Sequence, residues 1–303
     1  MKALVTGGAG FIGSHVVDAL VARGDEVHIV DDLSTGRLAN VEPALERGAE
    51  LHGEDVTDAA VLADLAASIE PEVVFHLAAH IDARRSVDEP AYDATVNVAG
   101  TAAVLDAARR AGARRLVLAS TAAVYGRPDR LPTPETTLLA PFSPYGAGKA
   151  AAESYLALYD RLHGLSTLAL RMANVYGPRQ DAHGEAGVVA IFSAAAAGGG
   201  PVVVFGDGRQ TRDFVHVRDV AAAFAAAGSA DCRGVLNVGS GRETSILELA
   251  DGLGLDVEPS PPRPGDIERS CLDASAARAA LGWTPAIELT DGLRDLRASA
   301  PVA

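Results

Sequence analysis

The segment Thr6-Gly7-Gly8-Ala9-Gly10-Phe11-Ile12-Gly13 constrains this chain more than any other. It follows a short apolar run, Ala3-Leu4-Val5, and opens a helical pattern predicted from Phe11 to Ala22. A strand that enters a helix through such glycines places them where a tight turn needs positive φ, where backbone must approach a ligand, and where helix packs on strand. Amides at the start of that helix face negative charge, and a pyrophosphate fits the description. The next apolar run, Val27-His28-Ile29-Val30, ends at Asp31 and Asp32, with Asp31 18 residues after Gly13. That is the spacing at which a carboxylate meets the adenosine ribose of a dinucleotide. Asp31 would repel a 2′-phosphate, so NAD is expected over NADP, with Arg37 nearby in sequence weakening the preference slightly. The expected cofactor contacts here are Gly7, Gly10, Phe11, Ile12, Gly13, Asp31 and Asp32.

Short β-branched runs then alternate with helical patterns. Val73-Val74-Phe75-His76-Leu77 leads into a polar loop and a helix expected from about Ala91 to Ala111, and Arg115-Leu116-Val117-Leu118-Ala119 follows as another strand. Unbroken apolar runs between helices mark strands buried on both faces, hence a parallel sheet with helices on either side. The fold class expected is α/β, a doubly wound parallel Rossmann sheet with a smaller C-terminal substrate-binding lobe. The lobe is expected because the alternation loosens after about residue 175, where short elements such as Val202 to Phe205 lie among many Gly and Pro. The division expected is a dinucleotide-binding part over 1–173 and, after a crossover, a mainly substrate-binding part over 174–303 that is discontinuous with the first. A length of 303 residues accommodates one large domain or two sharing a cleft.

Composition narrows the partners. The formal charge is 26 − 40 = −14, which repels phosphate backbones and anionic lipid, so nucleic acid and membrane surfaces are poor candidates. The Ala-rich stretch from Val188 to Ala197 breaks at Gly198, short of a membrane span. Cys232 and Cys271 are 39 residues apart and outside any C-x-x-C, and read as free buried thiols of a reducing compartment. The opening residues do not form a signal-peptide pattern, and a cytoplasmic location is expected. The eight histidines show no H-E-x-x-H or clustered ligand spacing, and His76 and His80 straddle a strand end, so no metal is expected.

A second constellation is Tyr145-Gly146-Ala147-Gly148-Lys149, with Ser120-Thr121 at a predicted strand end and Thr121 24 residues before Tyr145. Of the 26 basic residues only Lys2 and Lys149 are lysines. Positions four apart on a helix share a face, so the phenol and the ammonium point into one cleft. A phenol of ordinary pKa ~10 is a poor base at neutral pH, and lowering it by ~3 units takes about 4 kcal/mol. A fixed cation beside it in a dry cleft, together with an oxidised nicotinamide, can supply that. Arginine, with its larger planar head, is less suited to the added task of holding the nicotinamide ribose. Thr121, Tyr145 and Lys149 are therefore the candidate catalytic residues.

With these motifs the chain resembles the extended short-chain dehydrogenase/reductase family and, within it, the UDP-galactose (UDP-glucose) 4-epimerases, over nearly its whole length. Further carriers of the resemblance are G-E-D-V-T-D (53–58), H-L-A-A (76–79), N-V-A-G-T (97–101), S-T-A-A-V-Y-G (120–126), R-M-A-N-V-Y-G-P-R (171–179), F-G-D-G-R-Q-T-R-D-F-V-H-V (205–217) and R-P-G-D-I (263–267). The resemblance implies Asp55 and Val56 at the adenine, Leu77, Ala78 and Ala79 along the cofactor, and Asn97 in the helix beside the catalytic group. It also implies Asn174, Arg212 and Arg263 on a diphosphate, Phe205 against the base and Asp266 on the nucleotide's ribose. Arginine forks suit a pyrophosphate, and an aromatic face suits a pyrimidine.

The implied reaction is a redox cycle without net oxidation. Tyr145 takes the sugar 4-hydroxyl proton while NAD accepts the C4 hydride, and the resulting 4-ketose is reduced again on its opposite face. Family dehydratases and decarboxylases carry acidic residues after the threonine, where this chain has Ala122 and Ala123. That argues against elimination. A UDP-glucuronate 4-epimerase is the main alternative, with Arg179 available for the carboxylate, and a non-catalytic NAD-binding sensor is the alternative from another class. Ser270 stands four residues after Asp266, where in epimerases of this type a bulky tyrosine excludes N-acetyl sugars. Such proteins commonly dimerise through two long helices, here about Ala91 to Ala111 and Tyr145 to His163.

Overall fold

The β-branched runs form the strands expected of them. The computed structural model describes residues 1–181, 187–263 and 266–299. Its first half alternates β1 (Lys2–Thr6), α1 (Phe11–Ala22), β2 (Glu26–Val30), α2 (Glu42–Leu45), β3 (Glu50–His52), α3 (Ala59–Ile69) and β4 (Val73–His76). Then come α4 (Arg85–Asp88), α5 (Pro90–Ala94), α6 (Thr101–Arg110), β5 (Arg115–Thr121), α7 (Pro144–His163) and β6 (Ser166–Met172). Later elements are shorter: β7 (Asn174–Tyr176), α8 (Val188–Gly198), β8 (Val202–Phe205), β9 (Thr211–Arg212), β10 (Phe214–His216), α9 (Val217–Ser229) and β11 (Gly234–Val238). The chain closes with β12 (Thr244–Ser245), α10 (Ile246–Gly252), β13 (Val257–Ser260), α11 (Ser275–Leu281) and α12 (Leu289–Ser299).

Seven strands make one parallel sheet in the order β11-β6-β5-β4-β1-β2-β3. From β1 the chain builds outward through β2 and β3, then returns to the other side of β1 to lay down β4, β5 and β6. The reversal leaves a crevice at the carboxyl ends of β1 and β4, the place where doubly wound sheets bind ligands. Both sheet faces are covered. Val5, Ile29, Phe75, Val117 and Leu168 pack with α1 and α9 on one side. Leu4, Val30, Val74, Leu116 and Leu118 pack with α3, α6 and α7 on the other. A separate apolar cluster holds only later residues, among them Tyr176, Phe192, Val204, Phe214, Leu249 and Leu293.

The helix expected over Ala91–Ala111 is interrupted. Between α5 and α6 the residues Thr95–Gly100 form a π-turn. Thr95 and Thr101 donate their hydroxyls to the carbonyls of Ala91 and Asn97, both at four-residue spacing (2.8 and 2.7 Å). Such back-bonding bends a helix, and a π-turn occurs mostly as a single turn inside an α-helix, frequently at a functional site. Both cysteines are free, but only Cys271 is buried, and Cys232 is partly accessible. Among the described residues no helix is long and apolar enough to cross a membrane.

Candidate active site

The crevice wall between β1 and β4 is backbone against backbone. Gly7 has φ +70°, and a Cβ there would lie 2.5 Å from the Ala78 amide nitrogen. A Cβ on Gly13 would lie 2.0 Å from the Gly7 carbonyl oxygen, so neither position accepts a side chain. The same closeness sets Leu77 and Ala78, with Ala79 next in sequence, beside the glycine loop. Helix α1 starts at Gly10 with no side-chain cap and no acidic residue in its first turn, leaving its first amides, at Phe11 and Ile12, uncapped. A pyrophosphate fits that terminus. Asp31 ends β2 and accepts from the amides of Ala9 (2.8 Å) and Leu33 (2.9 Å). Burial raises its pKa, and those amides oppose the rise. A carboxylate has about four lone-pair positions, so room remains for ribose hydroxyls. Asp32 turns to Ser34 instead. Arg37 pairs with Asp181 at 2.5 Å, which draws its charge into a surface ion pair. Asp55 closes its own turn through the Thr57 amide (2.8 Å), and Val56 is buried beside Gly100.

Thr121 is the last residue of β5, and Tyr145 and Lys149 sit in the first turns of α7. Ser143 caps that helix by accepting from the Gly146 amide at 3.1 Å, with Pro144 in its first turn. Gly146 lets α7 approach the turn after Thr121: a Cβ there would be 2.9 Å from the Ala123 carbonyl oxygen. The sequence separation of Thr121 from Tyr145 is thereby closed, and the Thr121 hydroxyl reaches the phenol. Ala122 and Ala123 lie in the short turn after the threonine, whose hydroxyl accepts from the Ala123 amide.

The electrostatics of the protein's own groups oppose ionisation of the phenol. Burial pushes the Tyr145 phenol up to about 12; the Thr121 hydroxyl pulls it back and the Asp93 carboxylate adds to the rise. Burial brings Lys149 down to about 8, with Asp93 and Glu153 opposing. The protein alone therefore does not lower the phenol, because burial disfavours the phenolate. Beneath them His76 is fully buried between the hydroxyls of Thr6 (2.7 Å) and Thr101 (3.0 Å), and burial, with the Lys149 charge second, lowers it to about 3.

Asn97 is an expected neighbour, whereas Asp93, Glu153 and Arg171 are not singled out from the sequence. Asn97, on the π-turn, accepts from the His80 amide and donates to the His80 carbonyl and to Asp93. Asp93 is buried and paired with His80 at 3.1 Å. Glu153 accepts from Ser120 (2.5 Å) and pairs with buried Arg171 (2.6 Å), which also donates to the Tyr125 hydroxyl (2.8 Å) and the Glu135 carbonyl (3.3 Å). Burial opposes the Arg171 charge, but Glu153 and Tyr125 outweigh it and its pKa rises. The spacing 145, 149, 153 is a single helical stripe, and that pattern could have flagged Glu153. No local signal marks Asp93.

The later candidates are gathered but paired among themselves. Arg212 donates to Asp266 at 2.8 Å and to the Ile267 carbonyl at 2.7 Å. The Arg263 guanidinium lies over the Phe205 ring, 3.6 Å from its centroid. Ser270 is half-buried and donates its amide to Thr211. Asn174 starts β7 with its side chain exposed. Pro264 and Gly265 of the R-P-G-D-I motif lie outside the described residues. Arg179 pairs with Asp18 of α1 at 2.8 Å, which commits the group considered for a uronate.

The crevice and the Thr121, Tyr145 and Lys149 cluster define a dinucleotide-dependent enzyme of the extended short-chain dehydrogenase type. Residues 3–239 match the model of the NAD dependent epimerase/dehydratase family. A UDP-glucose 4-epimerase of Mycolicibacterium smegmatis is 50% identical over 97% of this chain and 96% of its own length. Among solved structures, the Thermotoga maritima UDP-glucose 4-epimerase with UDP-glucose superposes with TM-score 0.94 at 42% identity, covering 98% of each chain. The Thermus thermophilus UDP-glucose 4-epimerase in complex with NAD gives 0.92 at 41% identity over 99% of this chain and 100% of that one. The chain belongs to the NAD-dependent epimerase/dehydratase family.

Proposed function

We propose that this protein is an isomerase, an NAD-dependent nucleotide-sugar 4-epimerase that interconverts UDP-glucose and UDP-galactose through a 4-keto sugar and also accepts the N-acetyl forms. The observation that carries this reading is the convergence of Thr121, Tyr145 and Lys149 beside a backbone-walled crevice, with alanine where elimination chemistry needs an acid. Gly7, Gly10, Phe11, Ile12 and Gly13 would hold the cofactor pyrophosphate, with Asp31 and Asp32 at the adenosine ribose, Asp55 and Val56 at the adenine, and Leu77, Ala78, Ala79 and Asn97 along its length. Bound there, NAD supplies hydride acceptance and return at sugar C4 and, when oxidised, a positive charge near the phenol. Lys149 holds the nicotinamide ribose and adds its own charge. Tyr145 Oη takes the proton of the sugar 4-hydroxyl and gives it back, and Thr121 Oγ1 holds the same oxygen. Asn174, Arg212 and Arg263 grip the diphosphate, Phe205 the base and Asp266 the ribose, which anchors the nucleotide while the keto sugar turns its other face. Ser270 leaves room for a 2-N-acetyl group.

The protein is proposed to work as a cytoplasmic homodimer. Tyr155, Leu158 and Leu162 lie on the face of α7 opposite Lys149 and Glu153 and are exposed, as a helix-pairing surface requires. The purified protein is to be incubated with UDP-glucose, UDP-galactose, their N-acetyl forms and UDP-glucuronate, and the products separated. Interconversion of the plain hexoses is expected. Bound NAD without turnover of any of the five would leave a sensor and overturn the epimerase assignment.

A further inference from the structure

The outer strands of the sheet carry a side-chain cluster that the epimerase reaction does not use. In the parallel pairing of β2 and β3, His28 stands opposite Glu50 and Val30 opposite His52. Alternate residues share a face, so His28, Glu50 and His52 project to the same side. Their donor atoms converge. His28 Nδ1 is 3.2 Å from His52 Nε2 and 3.5 Å from a Glu50 carboxylate oxygen, and one such atom from each residue lies within 4.8 Å of the others. The second nitrogen of His28, Nε2, is 3.2 Å from the Glu26 carboxylate. With the ring proton on Nε2, facing that carboxylate, Nδ1 is a lone pair aimed at the cluster.

A carboxylate behind an imidazole is the device that orients a ligating histidine. Two nitrogens bound at about 2.0–2.1 Å with near-tetrahedral angles stand roughly 3.3 Å apart, close to the spacing of this pair. Two imidazoles and one carboxylate suit zinc, nickel or cobalt better than magnesium or calcium, which take oxygen donors. Access is built in as well, because His28 is buried while Glu50 is exposed.

We propose that His28, Glu50 and His52 bind one divalent first-row transition ion, with water on its remaining positions, fastening edge strand β3 to β2. The spacing along the sequence could not reveal this, since the ligands come from two neighbouring strands rather than one helix or loop. The competing arrangement is a neutral hydrogen bond in which His52 Nε2–H donates to His28 Nδ1.

The test uses NAD-loaded protein stripped with a chelator, titrated with Co²⁺ by visible absorption and with Zn²⁺ by calorimetry. One saturating equivalent is expected. His52→Asn and Glu50→Gln, both at accessible side chains, should each weaken binding about tenfold or more, and Glu26→Gln by roughly tenfold through the ring it orients. Unchanged unfolding midpoints in chelator would show that the variants are folded, and Zn²⁺ should raise the midpoint of wild type but not of His52→Asn. Absence of saturable binding, or equal binding by wild type and both ligand variants, overturns the site and leaves the hydrogen bond.

Discussion

In the crevice between β1 and β4 the chain meets its ligand with backbone, whereas beyond Asn174 the candidate contacts are long side chains already engaged with each other. Gly7, Gly13 and the Leu77–Ala78 segment are held by contacts that exclude even a methyl group. Arg212 and Asp266 form a half-exposed ion pair, and Arg263 covers Phe205. The first surface is backbone packed too closely to admit a side chain. The second must exchange partners when a nucleotide arrives, so its selectivity depends on how those partners rearrange. A cofactor that stays through turnover belongs on the fixed wall, and a substrate that must leave belongs on the exchangeable one.

The contrast can be broken first at the wall. Gly13→Ala forces a methyl group against the Gly7 carbonyl and should cost about 4 kcal/mol or more, seen as a lower urea midpoint and lost NAD retention. An alanine variant that holds NAD normally would mean the loop yields after all. Tyr145→Phe should next lower kcat by roughly 10² or more while the midpoint and NAD content stay near wild type. Near-normal epimerisation would transfer the proton role to Thr121 or a water.

Acid should destabilise the fold through His76, behind the wall. His76 stays neutral in the fold down to about pH 3, while the unfolded chain protonates it near pH ~6.5. Between those values the unfolded state binds more protons, so stability falls as pH drops, by roughly 2 kcal/mol at pH ~5. Chemical denaturation across that range should show the slope in wild type and a shallower one in His76→Gln; parallel slopes would exclude His76 as its source.

On the substrate side, Ser270→Tyr should slow UDP-N-acetylglucosamine at least ~10-fold and leave UDP-glucose nearly unchanged, because an added obstruction sets that choice. If wild type already rejects the N-acetyl sugar, Ser270 does not gate the pocket. The smallest effect is expected for Asp31→Ala, which should narrow the preference for NAD over NADP by roughly tenfold, since it removes one partner of the 2′-hydroxyl while Ala9 and Leu33 lose their acceptor. Equal binding of both cofactors by wild type would remove Asp31 from the ribose.

Legibility in the sequence followed the same divide. Glycine spacing, strand runs and the Tyr145–Lys149 pair are periodic and local, and they led directly to the parallel sheet and the crevice. The π-turn at Thr95–Gly100 is not legible because the two hydroxyls that bond to the helix backbone there lie inside an otherwise ordinary helical pattern. The rise in the Tyr145 pKa escaped for another reason: spacing reveals which charge is near but not how much water the fold removes. Asp93 and the Arg171–Glu153 pair depend on contacts between separate elements, which the spacing within one element does not give. The pairing of Arg212 with Asp266, 54 residues apart, is hidden for the same reason.

The place of β11 bears on how the molecule is made. It completes the sheet beside β6, yet it begins only at Gly234, after the chain has left β6 at Met172 and laid down β7, α8, β8, β9, β10 and α9. A chain growing from its amino end therefore carries β6 as an unpaired edge, rich in buried-type residues, throughout that interval. Until Val238 emerges the nascent protein offers a template to any passing strand, and its exposure to chaperones and to aggregation is timed by the length of the excursion.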